Sequence, residues 1–407
     1  MNMTINSKSS SHSGESPSSR LIPSHNRRPI IAFCISTFLW WVCLHLYTPI
    51  FPVYIQSSGA KLNIVGIVLA SYSIPQILLR IPIGLWTDRL IRRKPMLIAG
   101  ILFAALGAFG LSMSTEPWLL FLARFIVGVG ASMWVVSPIF IAAYYPAEDS
   151  GRAIGLVNFV RGGSLILASA SGGFIAEAYG FTHVFFIAAL IGIIALVALL
   201  LAREQPVQPA RTLSWKSFSL LATHPLLIIA TIIGTLSHFT SFTVLGFVPI
   251  YATEIGASSS QLGLIIMTSL IFSTTGALVA VWVWERLGYR STMILGGLIS
   301  GVSLLSIPFI NEIAVLMAVH IGFGMGNGML TTTTMALSIR HVQREHQATA
   351  MGVFQAVYSL GMLTGPIVSE FLGMGLGLET VFYAAALLSI VGALLPFLPI
   401  FSKHLAV

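Results

Sequence analysis

The chain has 407 residues, 56% of them hydrophobic and only 8% charged, with a formal net charge of +8. Soluble domains carry roughly 25% charged residues, so this composition excludes a water-facing globular fold and indicates a membrane protein. The basic excess sits in alternate loops, which makes it a sign of membrane topology and argues against nucleic-acid binding.

Residues 1–28 are polar and Ser-rich, with no apolar core and no cleavage site before Pro29. They read as a disordered tail, not a signal peptide. Twelve apolar runs follow, starting near residues 29, 62, 95, 117, 153, 182, 222, 259, 292, 313, 348 and 380. Each is about 20 residues long, enough to cross a bilayer. Cys34 and Cys43 fall on the first run, roughly 13 Å apart along a helix, too far for a disulfide within it. Basic residues gather at Arg27 and Arg28, Arg89 to Lys94, Arg152, Arg203 to Lys216, Arg286 to Arg290, Arg340, Arg344 and Lys403. The intervening loops carry Lys61 and the acids Glu116, Glu254, Glu312 and Glu379. Both termini are therefore expected in the cytoplasm.

The second half repeats the first. Phe51-Pro52-Val53-Tyr54 answers to Val248-Pro249-Ile250-Tyr251, and Asp88 to Glu285, both 197 residues apart. Arg124, Gly128 and Gly130 answer to His320, Gly324 and Gly326 at 196; Gly155, Asn158 and Arg161 answer to Gly352, Gln355 and Tyr358 at 197. An even number of spans per copy makes the repeats parallel about an axis along the membrane normal. The expected organisation is a tail (1–28), a six-helix bundle (29–202), a cytoplasmic linker (203–221) containing Pro206 and Pro209, a second bundle (222–402) and a short tail (403–407).

Twelve spans in a six-plus-six duplication, with Gly84-x-x-x-Asp88-Arg89-x-x-x-Arg93-Lys94 after the second span and Arg124-x-x-x-Gly128-x-Gly130 on the fourth, resemble the major facilitator superfamily. The resemblance covers about residues 29–402 and implies an all-α fold in which spans 1, 4, 7 and 10 line a central cavity. It also implies a cytoplasmic latch, built from Gly84, Asp88, Arg89 and Arg93 and repeated at Glu285 and Arg286, that holds the halves together when the cavity opens outward. Asp88 would lie at the positive end of the eleventh helix, Gly84 would allow close helix approach, and Glu285 would face the fifth helix near Gly151 to Gly155. The plainer reading is that these basic residues only anchor topology. Ile91 stands where the family has glycine, whereas the second copy keeps Gly288.

Inside the spans lie Arg80, Arg124 and Arg161, but no acid near a span centre. Intramembrane charge normally marks a cavity or an internal pair. Arg161 with Asn158, and their counterparts Gln355 and Tyr358, form the candidate substrate site together with Arg124; packing hydrogen bonds are the alternative. His45, His238 and His320 fall on the expected cavity helices and are candidates for carrying a coupling proton, against a purely structural role. Arg80 reads as structural. Gly322-x-Gly324-x-Gly326-x-Gly328 resembles a nucleotide loop but lies in an apolar span without a following Lys-Ser/Thr, so close helix packing is expected. Trp40, Trp41, Tyr47, Phe239 and Phe242 either floor the cavity or face lipid.

These features suggest a secondary transporter of the plasma membrane, working as a monomer without cofactor or metal and with no enzyme chemistry. Its partners would be a small-molecule substrate and the lipid bilayer. Proton-coupled export of an anionic or zwitterionic compound is the leading reading. Exporters of the resembled family carry Gly-Pro on the fifth span followed by paired glycines; of that motif only Gly172 and Gly173 remain here, with Ser164, Ala168 and Ser169 at the other positions, and a fuller Gly361-x-x-x-Gly365-Pro366 stands on the eleventh. Uptake by symport and a non-transporting sensor are the alternatives.

Overall fold

The apolar runs have no polar exterior to offer water, and in a bilayer every backbone N–H must be paired within its own segment, which leaves the helix as their stable form. A computed structural model describes residues 27–58, 62–145, 150–205, 223–340, 342 and 347–398 (the side chains of 62–63, 88–89, 150–151 and 347–348 excepted). Eleven helices in it are long and apolar enough to cross a membrane. They are α1 (Arg27–His45), α2 (Ile64–Thr87), α3 (Lys94–Met113), α4 (Pro117–Ala142), α5 (Arg152–Tyr179), α6 (Phe181–Leu201), α7 (Pro225–Glu254), a 51-residue segment (Ser259–Phe309), α10 (Ile313–Ile339), α11 (Thr349–Leu376) and α12 (Leu378–Phe397). The long segment would span roughly 76 Å as one helix, far more than a bilayer. It is two spans joined at Gly288, whose φ of 80° and ψ of 164° break the helix, giving α8 (259–287) and α9 (289–309). The chain thus crosses twelve times, as its hydropathy predicts.

Local chemistry sets the breaks. Ser258 caps α8 in a reciprocal box, its hydroxyl accepting from Gln261 N–H while the Gln261 side chain accepts from Ser258 N–H at 2.8 Å. Pro138 lacks an N–H and crowds the carbonyl of Trp134, and a 3-10 turn at Met133–Val135 interrupts α4 there. The Ile91 and Gly288 loops, matched in sequence, differ in backbone. Gly288 turns through a region closed to β-branched residues, whereas α2 ends earlier, with Leu90 extended (φ −89°, ψ 131°).

The duplication holds at the level of contacts. Gly100 packs on Gly130 between α3 and α4, and Gly296 on Gly326 between α9 and α10. Tyr54 Oη donates to the carbonyl of Ser114 at 3.3 Å, and Tyr251 Oη to that of Ile310 at 2.8 Å. The four-glycine run of α10 is a packing device: Gly324 and Gly328 meet the Ser269 and Ser273 carbonyls of α8, while Gly322 and Gly326 meet Ser303 and Gly296 of α9. Any Cβ on that run would drive into backbone or a serine side chain.

The described helix ends at 87–94, 201–205, 223–225 and 339–340 define a basic face; the loops at 113–117, 179–181, 254–259, 309–313 and 376–378 define the opposite one. The halves are sealed toward the opposite face. There Gly66 of α2 packs on Pro366 and Glu370 of α11, Gly173 of α5 packs on Ser259 and Gly263 of α8, and the Glu177 carboxylate accepts from Ser258 Oγ and Ser260 N–H, each at 2.8 Å. Toward the basic face neither Gly155 of α5 nor Gly352 of α11 packs closely: a Cβ on either would meet nothing within 4 Å.

Candidate functional site

Two walls meet where the halves join. On the first, the Arg161 guanidinium of α5 lies over Trp41 of α1 at 4.3 Å and Trp134 of α4 at 5.8 Å. The two tryptophans meet edge to face at 4.9 Å, and Trp41 also stacks on His45 at 5.1 Å. Cation–π contacts of this kind are worth up to about 2 kcal/mol when water is excluded. They hold the guanidinium but satisfy none of its N–H donors, and Arg161 Nε is buried without an acceptor. His45 Nδ1 is 3.3 Å from the Trp41 carbonyl.

On the second wall, Tyr358 of α11 stacks on His238 of α7 at 3.8 Å, and His238 Nδ1 is 2.8 Å from the Gly234 carbonyl. Arg80 of α2 ties the walls together. It donates to the Gln355 carbonyl, Tyr358 Oη and Ser359 Oγ, each at 3.2 Å, and to Gln76 Oε1. Arg161 is within electrostatic range of Tyr358, Tyr72 and Arg80, and His238 of Arg80 and Arg161. The walls therefore share one electrostatic environment. The third arginine, Arg124, is buried, donates to Tyr47 Oη at 3.3 Å and lies 4.4 Å over Tyr72 and 5.3 Å over Phe51. It lines a small cavity with Thr48, Leu69, Phe242 and Pro366.

Among the described residues, none of these three arginines forms an ion pair with a carboxylate. Intramembrane cations are costly unless matched, and these three rest on aromatic faces, with neutral acceptors for Arg80 and Arg124.

The sequence-predicted residues distribute unevenly over this site. Arg161, Gln355, Tyr358, His45 and His238 come together, with Arg124 one shell further along α4. Asn158 makes no contact with them among the described residues; its side chain is exposed on α5, one turn from Arg161. His320 is fully buried, edge-on to Phe323 at 6.2 Å, with Nδ1 2.8 Å from the Leu316 carbonyl. It lies one turn before Gly324 on the stripe that packs against α8, which turns it into the second bundle. Trp40, Trp41, Tyr47 and Phe239 are buried, so none of the four faces lipid. Arg80 was legible as an intramembrane charge, but its role as a cross-half tie was not, because its partners lie 275 to 279 residues away.

The gating residues need separate treatment. The side chains of Asp88 and Arg89 lie outside the described residues. Arg93 is buried, its Nε donating to the Thr87 carbonyl at 3.4 Å, which folds the loop back on the end of α2. Glu204 accepts from the N–H groups of Arg93 and Lys94 at the start of α3, while Lys94 Nζ donates to the Leu200 and Ala202 carbonyls at the end of α6. This is reciprocal capping of two helix ends. Beside it Tyr144 donates to the Arg203 carbonyl, and burial, reinforced by Glu204, pushes its hydroxyl up to about 12. Glu285 is exposed, and Arg286 lies 4.3 Å over Trp282 on its own helix. Among the described residues Glu285 makes no hydrogen bond or ion pair with the start of α5.

The close approach expected at Gly84 is also absent, since a Cβ there would meet only Val135 Cγ1 at 4.0 Å. Gly84→Ala should leave thermal stability unchanged or slightly raised, by up to about 1 kcal/mol of helix propensity. If closure of the basic face brings Gly84 against another helix, the same variant will lower transport. Melting and flux measured on one preparation check both.

A twelve-helix bundle of two parallel repeats that meet at a polar, arginine-bearing junction defines a membrane transporter fold. The comparisons agree. The Major Facilitator Superfamily description matches residues 30–237 and again 230–403, and the chain belongs to that family. The tetracycline resistance protein, class E, of Escherichia coli is 26% identical over 365 residues, covering 85% of this chain and 88% of that protein. A multi-drug resistance efflux pump PmrA homolog of Lactococcus lactis subsp. lactis is 24% identical over 401 residues, covering 93% of this chain and 98% of that protein. Among solved structures, a bacterial homolog to the human lysosomal transporter Spinster, in an inward-facing and occupied conformation, superposes with a TM-score of 0.76 at 16% identity, covering 92% of this chain and 96% of that one. A POT family transporter in complex with a thioalcohol conjugated peptide gives 0.77 at 15% identity, covering 95% and 99%. The protein is a multi-pass membrane transporter.

Proposed function

We propose that this transporter exports an aromatic or amphipathic small molecule bearing a negative charge, anionic or zwitterionic, across the plasma membrane in exchange for protons. The observation that carries the substrate class is Arg161, a guanidinium held by two tryptophan faces and lacking an acceptor. It offers a planar donor fork to a carboxylate or enolate and an aromatic surface to the rest of the molecule. The relatives named for tetracycline resistance and multidrug efflux support export over uptake. Tetracycline, an aromatic zwitterion, is the natural first probe. By the positive-inside rule the basic face is cytoplasmic, so the open junction loads from the cytoplasm, and rocking of the halves delivers the substrate to the other side.

His45 and His238 are placed to answer substrate with a proton, since each stacks on a residue of the site. His320 lies away from it and serves packing. His238→Phe keeps the stack on Tyr358 but removes the titrating nitrogen. Its gradient-driven tetracycline flux in proteoliposomes should fall at least about tenfold while equilibrium binding changes little, and His320→Leu should retain gradient dependence. Loss of coupling in His320→Leu but not in His238→Phe or His45→Asn would reverse the assignment.

A further inference from the structure

The two seams that close the opposite face are related by the repeat, but their chemistry differs. Gly66 of α2 corresponds to Gly263 of α8, and Glu370 of α11 to Gly173 of α5, each pair 197 residues apart. In the α5–α8 seam glycine meets glycine, with a Cβ on Gly263 lying 2.5 Å from the Ser169 carbonyl. In the α2–α11 seam a carboxylic acid fills the corresponding place. Glu370 is only 1% exposed, and its Oε2 accepts from the backbone N–H of Ile67 at 3.0 Å, near the N-terminal end of α2. Its neighbour Ser369 is locked to Thr243 of α7 by a 2.9 Å hydroxyl contact.

Among the described residues no charged side chain shares this place. The facing turns of α2, residues 64–71, carry no titratable group, and Tyr72 follows below them. The adjoining stretch of α7, residues 239–250, likewise carries none, with His238 and Tyr251 at its two ends. From α12 the nearest such groups in sequence are Glu379 and Tyr383. Arg124 reaches the cavity that Pro366 lines, one helical turn from Glu370. Among the described residues no cation pairs with Glu370, so neither its burial nor its position is explained by an ion pair.

A buried carboxyl costs stability unless something uses it. The contact that buries this one must part whenever the opposite face opens, and parting carries the carboxyl from a dry helix seam into water. A group whose proton affinity differs between two conformations links proton binding to their populations. We propose that Glu370 is a proton-binding site whose occupancy sets whether the α2–α11 seam is open or closed, while the α5–α8 seam, with glycine at the same position and Glu177 exposed at its outer end on Ser258 and Ser260, acts as the hinge. This rests on the proton-driven reading above and adds a site to it that the histidines do not supply. The step is a single proton exchanged between the Glu370 carboxyl and water on the opposite face.

The test needs no substrate. Spin labels on cysteines placed at Tyr179 and Leu376, exposed at the opposite-face ends of α5 and α11, report the opening by electron–electron distance measurement in lipid nanodiscs, with Cys34 and Cys43 replaced by alanine. The open-to-closed ratio should change with pH between 5 and 9, by up to about tenfold per unit for one linked proton. Glu370→Gln, which keeps the shape and one acceptor, should make the ratio flat, and so should Glu370→Gly, which copies Gly173 and guards against a folding defect of the first variant. A wild-type pH response that survives in either well-folded variant overturns the proposal, as does a flat wild-type response. Gradient-driven tetracycline flux in the same wild-type preparation separates the two failures. If flux follows the gradient while the distances ignore Glu370, only this site is wrong; if flux ignores the gradient as well, the proton-driven reading falls with it.

Discussion

Arg161→Ala should reduce transport at least about 100-fold while leaving the protein folded. The guanidinium is held by the faces of Trp41 and Trp134 and has no carboxylate among the described residues to satisfy it. Removing it costs the fold about 2 kcal/mol of cation–π contact at most and relieves the burial of a charge. For the substrate it removes a charge-assisted, bidentate hydrogen bond in a water-poor site, worth about 3 kcal/mol, or two decades of affinity. Arg161→Lys should recover only part of this, because an ammonium cannot present the planar fork. Binding and flux of tetracycline, beside those of a cationic dye such as ethidium, measure it. The account requires the anionic or zwitterionic probe to suffer and the cation to be spared. Equal loss for both would reduce Arg161 to a packing element.

Arg80→Leu should act on conformation more than on binding. Arg80 makes hydrogen bonds to three groups of α11 at 3.2 Å and is itself steadied by Gln76. It therefore joins the halves only where they are together. Hydrogen bonds to charged groups are worth about 1.5–3 kcal/mol each and do not add. A net loss near 2 kcal/mol shifts the closed-seam population about 30-fold toward the form open on the opposite face. The change appears as a longer distance between labels at Tyr179 and Leu376, with flux falling because the substrate site no longer closes behind its cargo. An unchanged distance with reduced binding would instead place Arg80 among the substrate ligands.

Much of the architecture was legible because hydropathy and repetition survive translation into structure. The 197-residue offset drawn from Tyr54 and Tyr251 reappears as matched hydroxyl–carbonyl bonds, and the α10 glycines are the packing run their apolar context predicts. The site was only partly legible. Charge in a span announces importance, so Arg161, Arg124 and the histidines stood out. Which face of a helix each occupies depends on the crossing of helices far apart in sequence. That is why His320 lies in the α8–α10 seam rather than beside His45 and His238. Glu370 reads from the sequence as an acid close to the outer end of α11, where an acid ordinarily meets water; the approach of α2 at Gly66 buries it. The latch glycine Gly84 failed its steric expectation for a different reason. The side chain across from it, Val135 of α4, stops 4.0 Å short of where a Cβ would stand.

Inverted membrane vesicles containing the protein, energised by respiration and offered tetracycline and a panel of organic anions, test the central claim most directly. The account predicts accumulation of at least one such compound inside the vesicles, abolished by a protonophore and by Arg161→Ala. Accumulation in right-side-out vesicles instead, or transport indifferent to the protonophore, would contradict it.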